Sequence, residues 1–216
     1  MAEKLCSFCH QNCDLNKIQI KKTYRGNEYI CYDCYKRTGI DNFVKAAAMT
    51  ADEIRPYIEQ ADLYVERRAE LKATEYVKGV FEIDRKNQYF ARITGHLVDN
   101  SPVYAFYEII SYRLAVDDNL YTREQICEIG FFDERLYNDL PKKKSGLFKL
   151  PQKCKKMQFI VDVKSMTAPL VTVDLLQAPA KYDSKAFESA VNSAKECADM
   201  FENMIISAVI PEDDDG

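Results

Sequence analysis

Two closely spaced cysteine pairs constrain the N-terminal part of this chain more than any other feature. Cys6 and Cys9 are separated by two residues, and Cys31 and Cys34 repeat the same spacing further along. Two intervening residues allow both sulfurs of a pair to bind one metal ion, and two such pairs complete a tetrahedron. The sequence therefore predicts one structural Zn²⁺ ion, held by the thiolates of Cys6, Cys9, Cys31 and Cys34.

Two neighbouring residues offer alternative ligands. His10 follows the first pair directly, and Cys13 lies three residues further on. Either could replace Cys9, but the replacement would break the matched two-residue spacing of the two pairs. We expect His10 to lie on the surface or beside the metal site.

The residues around the second cysteine pair favour a compact β-hairpin and a short helix. Segments 17–23 and 28–30 alternate in polarity on either side of Gly26, which is typical of a hairpin turn. The residues that follow Cys34 predict a short helix that ends at Gly39, so Cys34 would lie near a helix N-terminus. This order is typical of a treble clef or zinc ribbon, and we assign residues 1–45 to such a module.

Residues 46–77 predict a helical connector. Thr50 and Glu53 have the spacing of a capping box, so a helix should start there. An apolar stripe follows, made of Ile54, Ile58, Ala61 and Val65. We expect the stripe to pack on the domain that follows, with a partner-binding helix as the alternative, and Pro56 to break or kink the helix.

Residues 78–210 change to a β-rich pattern that ends in one long amphipathic helix. Strands are predicted at 80–84, 88–93, 103–106, 109–114, 157–163 and 170–175. The helix is predicted from Ser184 to Ala208, because apolar residues recur there at steps of three and four. The pattern indicates a small barrel or sandwich closed by a helix, as in pleckstrin-homology-like (PH-like) domains. The predicted fold class is therefore α+β.

The N-terminal module resembles a four-cysteine zinc-ribbon family found at the N-terminus of bacterial and phage proteins. The resemblance lies in both cysteine pairs and in the segment 29–34, Tyr-Ile-Cys-Tyr-Asp-Cys. The segments 50–54, 81–84 and 107–114, and the final helix, are similar to proteins in which that ribbon precedes a PH-like domain. Such proteins often carry a glycine-rich apolar insertion, which this chain lacks. The resemblance implies a binding or regulatory protein rather than an enzyme.

Charge, hydropathy and cysteine content limit the partners and the compartment that we expect for this protein. Thirty basic and 34 acidic residues give a formal net charge of −4, which provides no overall attraction to nucleic acid or anionic membranes. No apolar run approaches the length of a spanning helix, and the N-terminus lacks the apolar core of a signal peptide. Clustered cysteines without a disulfide pattern favour a reducing compartment, so we expect a cytoplasmic protein. Residues 211–216 form an acidic tail.

One lysine-rich segment stands out from this balanced charge. The residues between Asp139 and Asp162 include no acidic side chain, and the lysines there predict an anion-binding loop that could engage phosphate groups or nucleic acid. They are Lys142, Lys143, Lys144, Lys149, Lys153, Lys155 and Lys156. A merely solvated loop is the alternative interpretation.

The sequence contains no recognisable catalytic motif. His96 has no nucleophile beside it in sequence, and Cys127 lies among apolar residues that predict a core position. Glycine-rich phosphate loops and hydrolase elbows are absent. We therefore expect a non-enzymatic, zinc-binding interaction or regulatory protein that recognises a macromolecular partner, most simply a protein. The alternative is a nucleic-acid-binding regulator that uses the ribbon and the lysine-rich loop.

Overall fold

A computed structural model describes residues 4–24, 26–77, 79–93, 101–140 and 153–209. The fold is α+β, with several antiparallel sheets and a long C-terminal helix, as the sequence predicts. The chain divides into two compact units: Met1–Glu70 with Ser165–Ala168, and Leu71–Lys164 with Pro169–Gly216. The predictions for Lys142, Lys143, Lys144 and Lys149, for His96 and for the acidic tail lie outside the described residues.

The first unit begins with the predicted hairpin. Strands β1 (Lys17–Gln19) and β2 (Tyr29–Cys31) pair antiparallel, with Ile18 opposite Ile30. Gly26 has φ of 108°, a conformation that glycine adopts without steric cost, so it can turn the chain between the strands. Because β2 ends at Cys31, the hairpin fixes where the second cysteine pair begins.

Three helices follow in the first unit. Helix α1 (Tyr32–Arg37) starts immediately after β2, α2 (Phe43–Ala47) is capped by the side chain of Asn42, and α3 spans Ala51–Glu70. The predicted capping box is present: the Thr50 backbone N–H donates to Glu53 at 2.7 Å, and the Glu53 N–H donates to the Thr50 hydroxyl at 3.2 Å. Pro56 does not break α3.

The first half of the apolar stripe of α3 packs on the cysteine module, whereas its periodicity alone led us to expect contacts with the domain that follows. Ile54 and Ile58 belong to one buried cluster with Ile20, Ile30 and the cysteines. Val65, further along the stripe, is 70% exposed. Periodicity identifies which face of a helix is apolar, but it carries no information about which neighbour covers that face.

The described residues of the second unit form two four-stranded antiparallel sheets and one small two-stranded pair. The strands of the first sheet are β3 (Glu75–Val77), β4 (Phe81–Asp84), β5 (Tyr89–Arg92) and β6 (Val103–Ala105), and they pair in that order as a meander. The strands of the second sheet are β7 (Ile109–Val116), β8 (Asn119–Thr122), β10 (Met157–Val163) and β11 (Leu170–Asp174), and their order is β11-β10-β7-β8. The small pair joins β9 (Lys153–Cys154) to β12 (Ala180–Lys181).

Short helical segments follow β8, between residues 123 and 139. They are α4 (Arg123–Ile126), a π-helical turn (Phe131–Arg135) and α5 (Leu136–Asp139), and a 3-10 turn (Phe106–Glu108) precedes β7. The sequence reasoning missed these segments and the strands β3, β8, β9 and β12.

Helix α6 (Lys185–Ser207) forms the centre of the second unit's core. Ser184 caps it by accepting a hydrogen bond from the Phe187 N–H, where the sequence predicts the helix to begin. The fully buried ring of Phe201 lies 5.0 Å from that of Phe81 and 5.2 Å from that of Phe90, both in the first sheet, and 5.5 Å from that of Phe159 in the second. The helix therefore packs against both sheets.

Within the described part of the chain, no helix is both long and apolar enough to cross a membrane.

Candidate metal centre

The first cysteine pair lies in a tight turn. The Cys6 N–H donates to the Gln11 carbonyl at 2.9 Å, and the His10 N–H returns to the Cys6 carbonyl at 3.0 Å. His10 completes this turn with a positive φ of 58°. These backbone bonds hold the sulfurs of Cys6 and Cys9 on the same side of the turn.

The second pair lies where β2 passes into α1. Cys31 is the last residue of β2 and the N-cap of α1, and its sulfur accepts a hydrogen bond from the Cys34 N–H at 3.4 Å. Cys34 is therefore in the first turn of the helix, near the positive end of the helix dipole, as predicted. Gly39, with φ of 65°, follows the end of the helix.

The four sulfurs come together as the spacing predicts. One group, formed by the Sγ atoms of Cys6, Cys9, Cys31 and Cys34, has every pair within 4.8 Å, and the sulfurs of Cys9 and Cys31 are 3.8 Å apart. A tetrahedron with metal–sulfur bonds of about 2.3 Å has sulfur–sulfur edges of about 3.8 Å. The residues present therefore fit a single tetrahedral metal ion.

Hydrogen bonds from the backbone favour the thiolate form at Cys6. Burial opposes its ionisation, but N–H groups of Cys31, Cys9 and Phe8 outweigh it and lower the pKa of Cys6 to about 7. The Cys31 N–H lies 3.4 Å from the Cys6 sulfur. Oriented N–H donors of this kind are the usual support of a metal-bound thiolate.

Cys31 and Cys34 ionise less readily by themselves than Cys6 does. Burial raises the pKa of Cys31 and of Cys34, and interaction with neighbouring cysteines of the group raises the pKa of Cys34 further. Four thiolates so close together repel one another, and a divalent cation between them removes that cost. These four sulfur donors therefore suit a cation that prefers thiolate ligands.

The two alternative ligands lie elsewhere. Cys13 is buried, and its thiol donates to the Lys4 carbonyl at 3.3 Å rather than joining the group. Burial also raises the pKa of Cys13. His10 is exposed. Among the described residues, the group that could hold a metal consists of the four predicted cysteines.

Packing and basic side chains support the centre. Ile20, Ile30 and Ile54 are buried in the same cluster as the cysteines. A divalent ion bound by four thiolates carries a net charge of about −2. Cationic groups lie nearby over aromatic rings: the Lys4 ammonium 5.4 Å from the ring centroid of Tyr29, and the Arg55 guanidinium 5.9 Å from that of Phe8.

No protein-family model, curated protein or solved structure matches this chain. The metal centre is therefore inferred from its own geometry and chemistry.

The predicted lysine-rich loop is described only in part. Lys153, Lys155 and Lys156 are exposed beside a cleft in the second unit. Sequence reasoning missed Asp117 and Tyr182, which lie in the same cleft. The run Asp117-Asp118-Asn119 between two β-segments is a turn signal that could have located the first of them.

A second polar cluster lies against α6. The Tyr112 hydroxyl is 3.2 Å from the Cys127 sulfur and donates to Glu202 at 3.0 Å, while Arg123 forms two hydrogen bonds of 2.8 Å with the same carboxylate. Cys127 is exposed, contrary to the core position predicted from its apolar neighbours. The Arg123–Glu202 pair holds the pKa of Glu202 below its usual range.

Proposed function

We propose that this protein is a zinc-binding interaction or regulatory protein whose zinc ion stabilises a recognition module of treble-clef or zinc-ribbon type. The observation that carries the proposal is the closed group of four sulfurs. When four cysteines fill a tetrahedral ion, no position remains for a water molecule or substrate, so the metal stabilises the fold and does not react. A closed metal site therefore supports a binding role rather than catalysis by the metal.

Zinc is the metal that this donor set suits best. Four thiolates in a tetrahedral arrangement are typical of structural zinc sites, and a module of this size depends on such an ion for its stability. Bound zinc would supply the charge that the four thiolates need and would tie the first turn to the hairpin. Thiolates of this kind persist in a reducing compartment, so we place the protein in the cytoplasm.

The second unit supports a PH-like plan. Its first sheet is a four-stranded meander, and the strands of its second sheet come later in the chain. Its final helix contacts both sheets through Phe201. PH-like domains have this order of elements. They commonly serve as binding platforms, which agrees with a non-enzymatic role.

A protein partner is favoured by apolar side chains on the surface of the first unit. Leu15 is 96% exposed, and Phe43 and Val44 of α2 are 62% and 60% exposed. Large apolar side chains in solvent are a cost that a protein interface removes, and aromatic residues are enriched in such interfaces. Helix α2 is therefore the most direct place to test partner binding.

The test is affinity capture with the zinc-loaded full chain and two variants. Phe43→Ser with Val44→Ser removes the apolar side chains of α2, whereas Asp41→Ser with Lys45→Ser changes exposed polar positions of the same segment. We expect the wild type and the polar control to retain the same stoichiometric protein at high salt, and the apolar variant to lose it. Equal capture by all three proteins, or no stoichiometric protein partner, would contradict the proposal.

Nucleic-acid binding is the alternative, and one observation favours it. The Lys36 ammonium lies 4.5 Å from the ring centroid of Tyr32, which is 48% exposed, and Lys17 lies 6.0 Å from that of Tyr29. A basic group beside an exposed aromatic ring, such as Lys36 beside Tyr32, can bind a phosphate while the ring stacks on a base. Fluorescence anisotropy with a labelled single strand tests this: phosphate-driven binding falls steeply as salt is added, whereas an apolar protein interface does not.

A further inference from the structure

Three lysines of the second unit surround one cleft. Lys153 is in β9, and Lys155 and Lys156 follow it before β10 begins; all three are exposed. With Asp117, Asn119 and neighbouring residues they line a cleft of about 550 Å³. The volume is sufficient for a small ligand rather than a single water molecule.

Asp117 fixes the backbone that carries these lysines. It occupies the turn between β7 and β8 with a positive φ of 52°. One carboxylate oxygen accepts hydrogen bonds from the N–H groups of Lys155 at 2.7 Å and Lys156 at 3.0 Å, and the Asp117 N–H donates to the Lys156 carbonyl at 2.9 Å. The lysine backbone is therefore positioned before any ligand arrives.

The second oxygen of Asp117 is also occupied. It accepts a hydrogen bond of 2.6 Å from the Tyr182 hydroxyl. Burial alone would raise the pKa of Asp117, but these hydrogen bonds together hold the pKa below its usual range. Asp117 thus directs its charge towards the backbone and Tyr182, and Asp118 is the other carboxylate that lines the cleft.

A fourth lysine lies on the strand that pairs with the strand of Lys153. Lys181 of β12 lies directly opposite Lys153 of β9 in the antiparallel pair. Like charges in directly opposed positions destabilise a sheet, and an anion between them removes that cost. Among the described residues, none of these four ammonium groups forms an ion pair with a carboxylate.

We propose that this cleft binds a phosphate group, as a phosphate monoester or oligophosphate that is either free or part of a lipid headgroup. Ammonium groups form short, charge-assisted hydrogen bonds with phosphate oxygens, and several together bind a multiply charged anion better than a monovalent one. The proposal goes beyond the proposed function, because it concerns a small anion in the second unit and does not involve the zinc module.

The test uses the full, zinc-loaded chain labelled with ¹⁵N and titrated with pyrophosphate at constant ionic strength. We expect backbone amide shifts to change at 117–119, 153–156 and 181–182. Chloride or sulfate at the same ionic strength should cause much smaller changes at these positions. This arm needs no variant, so it tests the site even where a substitution would disturb the fold.

Variants then test whether the lysines carry the binding. Changing Lys153, Lys155 and Lys156 to Gln should weaken pyrophosphate binding at least about tenfold, because several hydrogen bonds to a charged group are lost. Changing the same three residues to Arg should preserve it. The matched control changes three exposed lysines of the first unit, Lys21, Lys22 and Lys45, to Gln and should bind as the wild type does.

A vesicle arm distinguishes the two sources of phosphate. Phosphatidylcholine vesicles with and without phosphatidylinositol phosphate are sedimented with each protein. Lysine-dependent binding to the phosphoinositide vesicles alone would assign a lipid headgroup, and lysine-dependent binding of pyrophosphate would assign a soluble phosphate. The proposal is overturned if neither probe binds, or if the control variant loses as much binding as the lysine variant. Zinc content and partner capture, measured on the same proteins, report separately on the proposed function.

Discussion

Replacing Phe201 with Ala should be among the most damaging single changes in the second unit. Its side chain is completely buried and contacts three other rings, those of Phe81, Phe90 and Phe159, at centroid distances of 5.0, 5.2 and 5.5 Å. A buried Phe→Ala change costs about 3–5 kcal/mol, and each aromatic pair contributes about 0.5–1.5 kcal/mol beyond the area that it buries. With three such pairs lost, we expect a cost near the upper end, about 4–5 kcal/mol.

Two further variants provide reference values for the loss of unfolding free energy in Phe201→Ala. Phe201→Leu keeps most of the apolar volume but loses the ring pairs, so it should cost about 1–2 kcal/mol. Asn203 is exposed on the same helix, and Asn203→Ala should change stability by no more than about 0.5 kcal/mol.

Urea unfolding, followed by far-ultraviolet circular dichroism with zinc present, measures all three variants. Hydrogen exchange in β4, β5 and β10 shows whether both sheets lose protection. A cost below about 1 kcal/mol for Phe201→Ala, or lost protection in one sheet only, would refute the argument that α6 joins the two sheets through this ring.

Three further perturbations test other parts of the structure. Cys34→Ser should abolish stoichiometric zinc binding while Cys13→Ser retains it, as measured by metal content; equal loss in both would contradict the assigned ligands. Asp84 is 1% exposed and accepts three hydrogen bonds, so Asp84→Asn should cost about 1–3 kcal/mol. Burial alone would raise the pKa of Asp84, but its hydrogen bonds outweigh burial and lower the pKa in the folded state. The ionised Asp84 therefore stabilises the fold fully above the unfolded-state pKa, and this stabilisation is lost as pH falls below about 4. The urea midpoint of Asp84→Asn should therefore depend less on pH in that range than the midpoint of the wild type does. An equal pH dependence in both proteins would contradict this role of Asp84. Asp117→Ala should accelerate hydrogen exchange at the Lys155 and Lys156 amides, which lose their acceptor; unchanged exchange there would exclude the proposed anchoring.

The parts of the fold that the sequence predicts well are governed by local chemistry. The two cysteine pairs, the Gly26 turn and the Thr50 capping box each depend on residues a few positions apart, and each is present in the structure. The longer strands and α6 are also recovered, because their alternating or helical periodicity extends over several residues.

The parts that were missed depend on contacts between distant segments. Strands β9 and β12 have two residues each, too few for any periodicity, and exist because they pair across the fold. The surface that covers Ile54 and the exposure of Cys127 are likewise decided by tertiary packing.

The same limit applies to the candidate sites. The four metal-site cysteines could be identified from spacing alone, because two residues between cysteines already fix how their sulfurs can meet. The role of Asp117 could not, since its partners Lys155 and Tyr182 lie far along the chain. Sequence spacing therefore locates local donor sets, while charge networks that join separate strands require the fold.

Native mass spectrometry of the full chain purified without chelator, together with a zinc measurement on the same sample, tests the metal site directly. We expect one zinc ion per chain, and a partial loss of the chain's far-ultraviolet dichroism when a strong chelator removes the ion and the first unit unfolds. A folded chain that contains no zinc, or that keeps its structure unchanged after the metal is removed, would contradict the proposed zinc site.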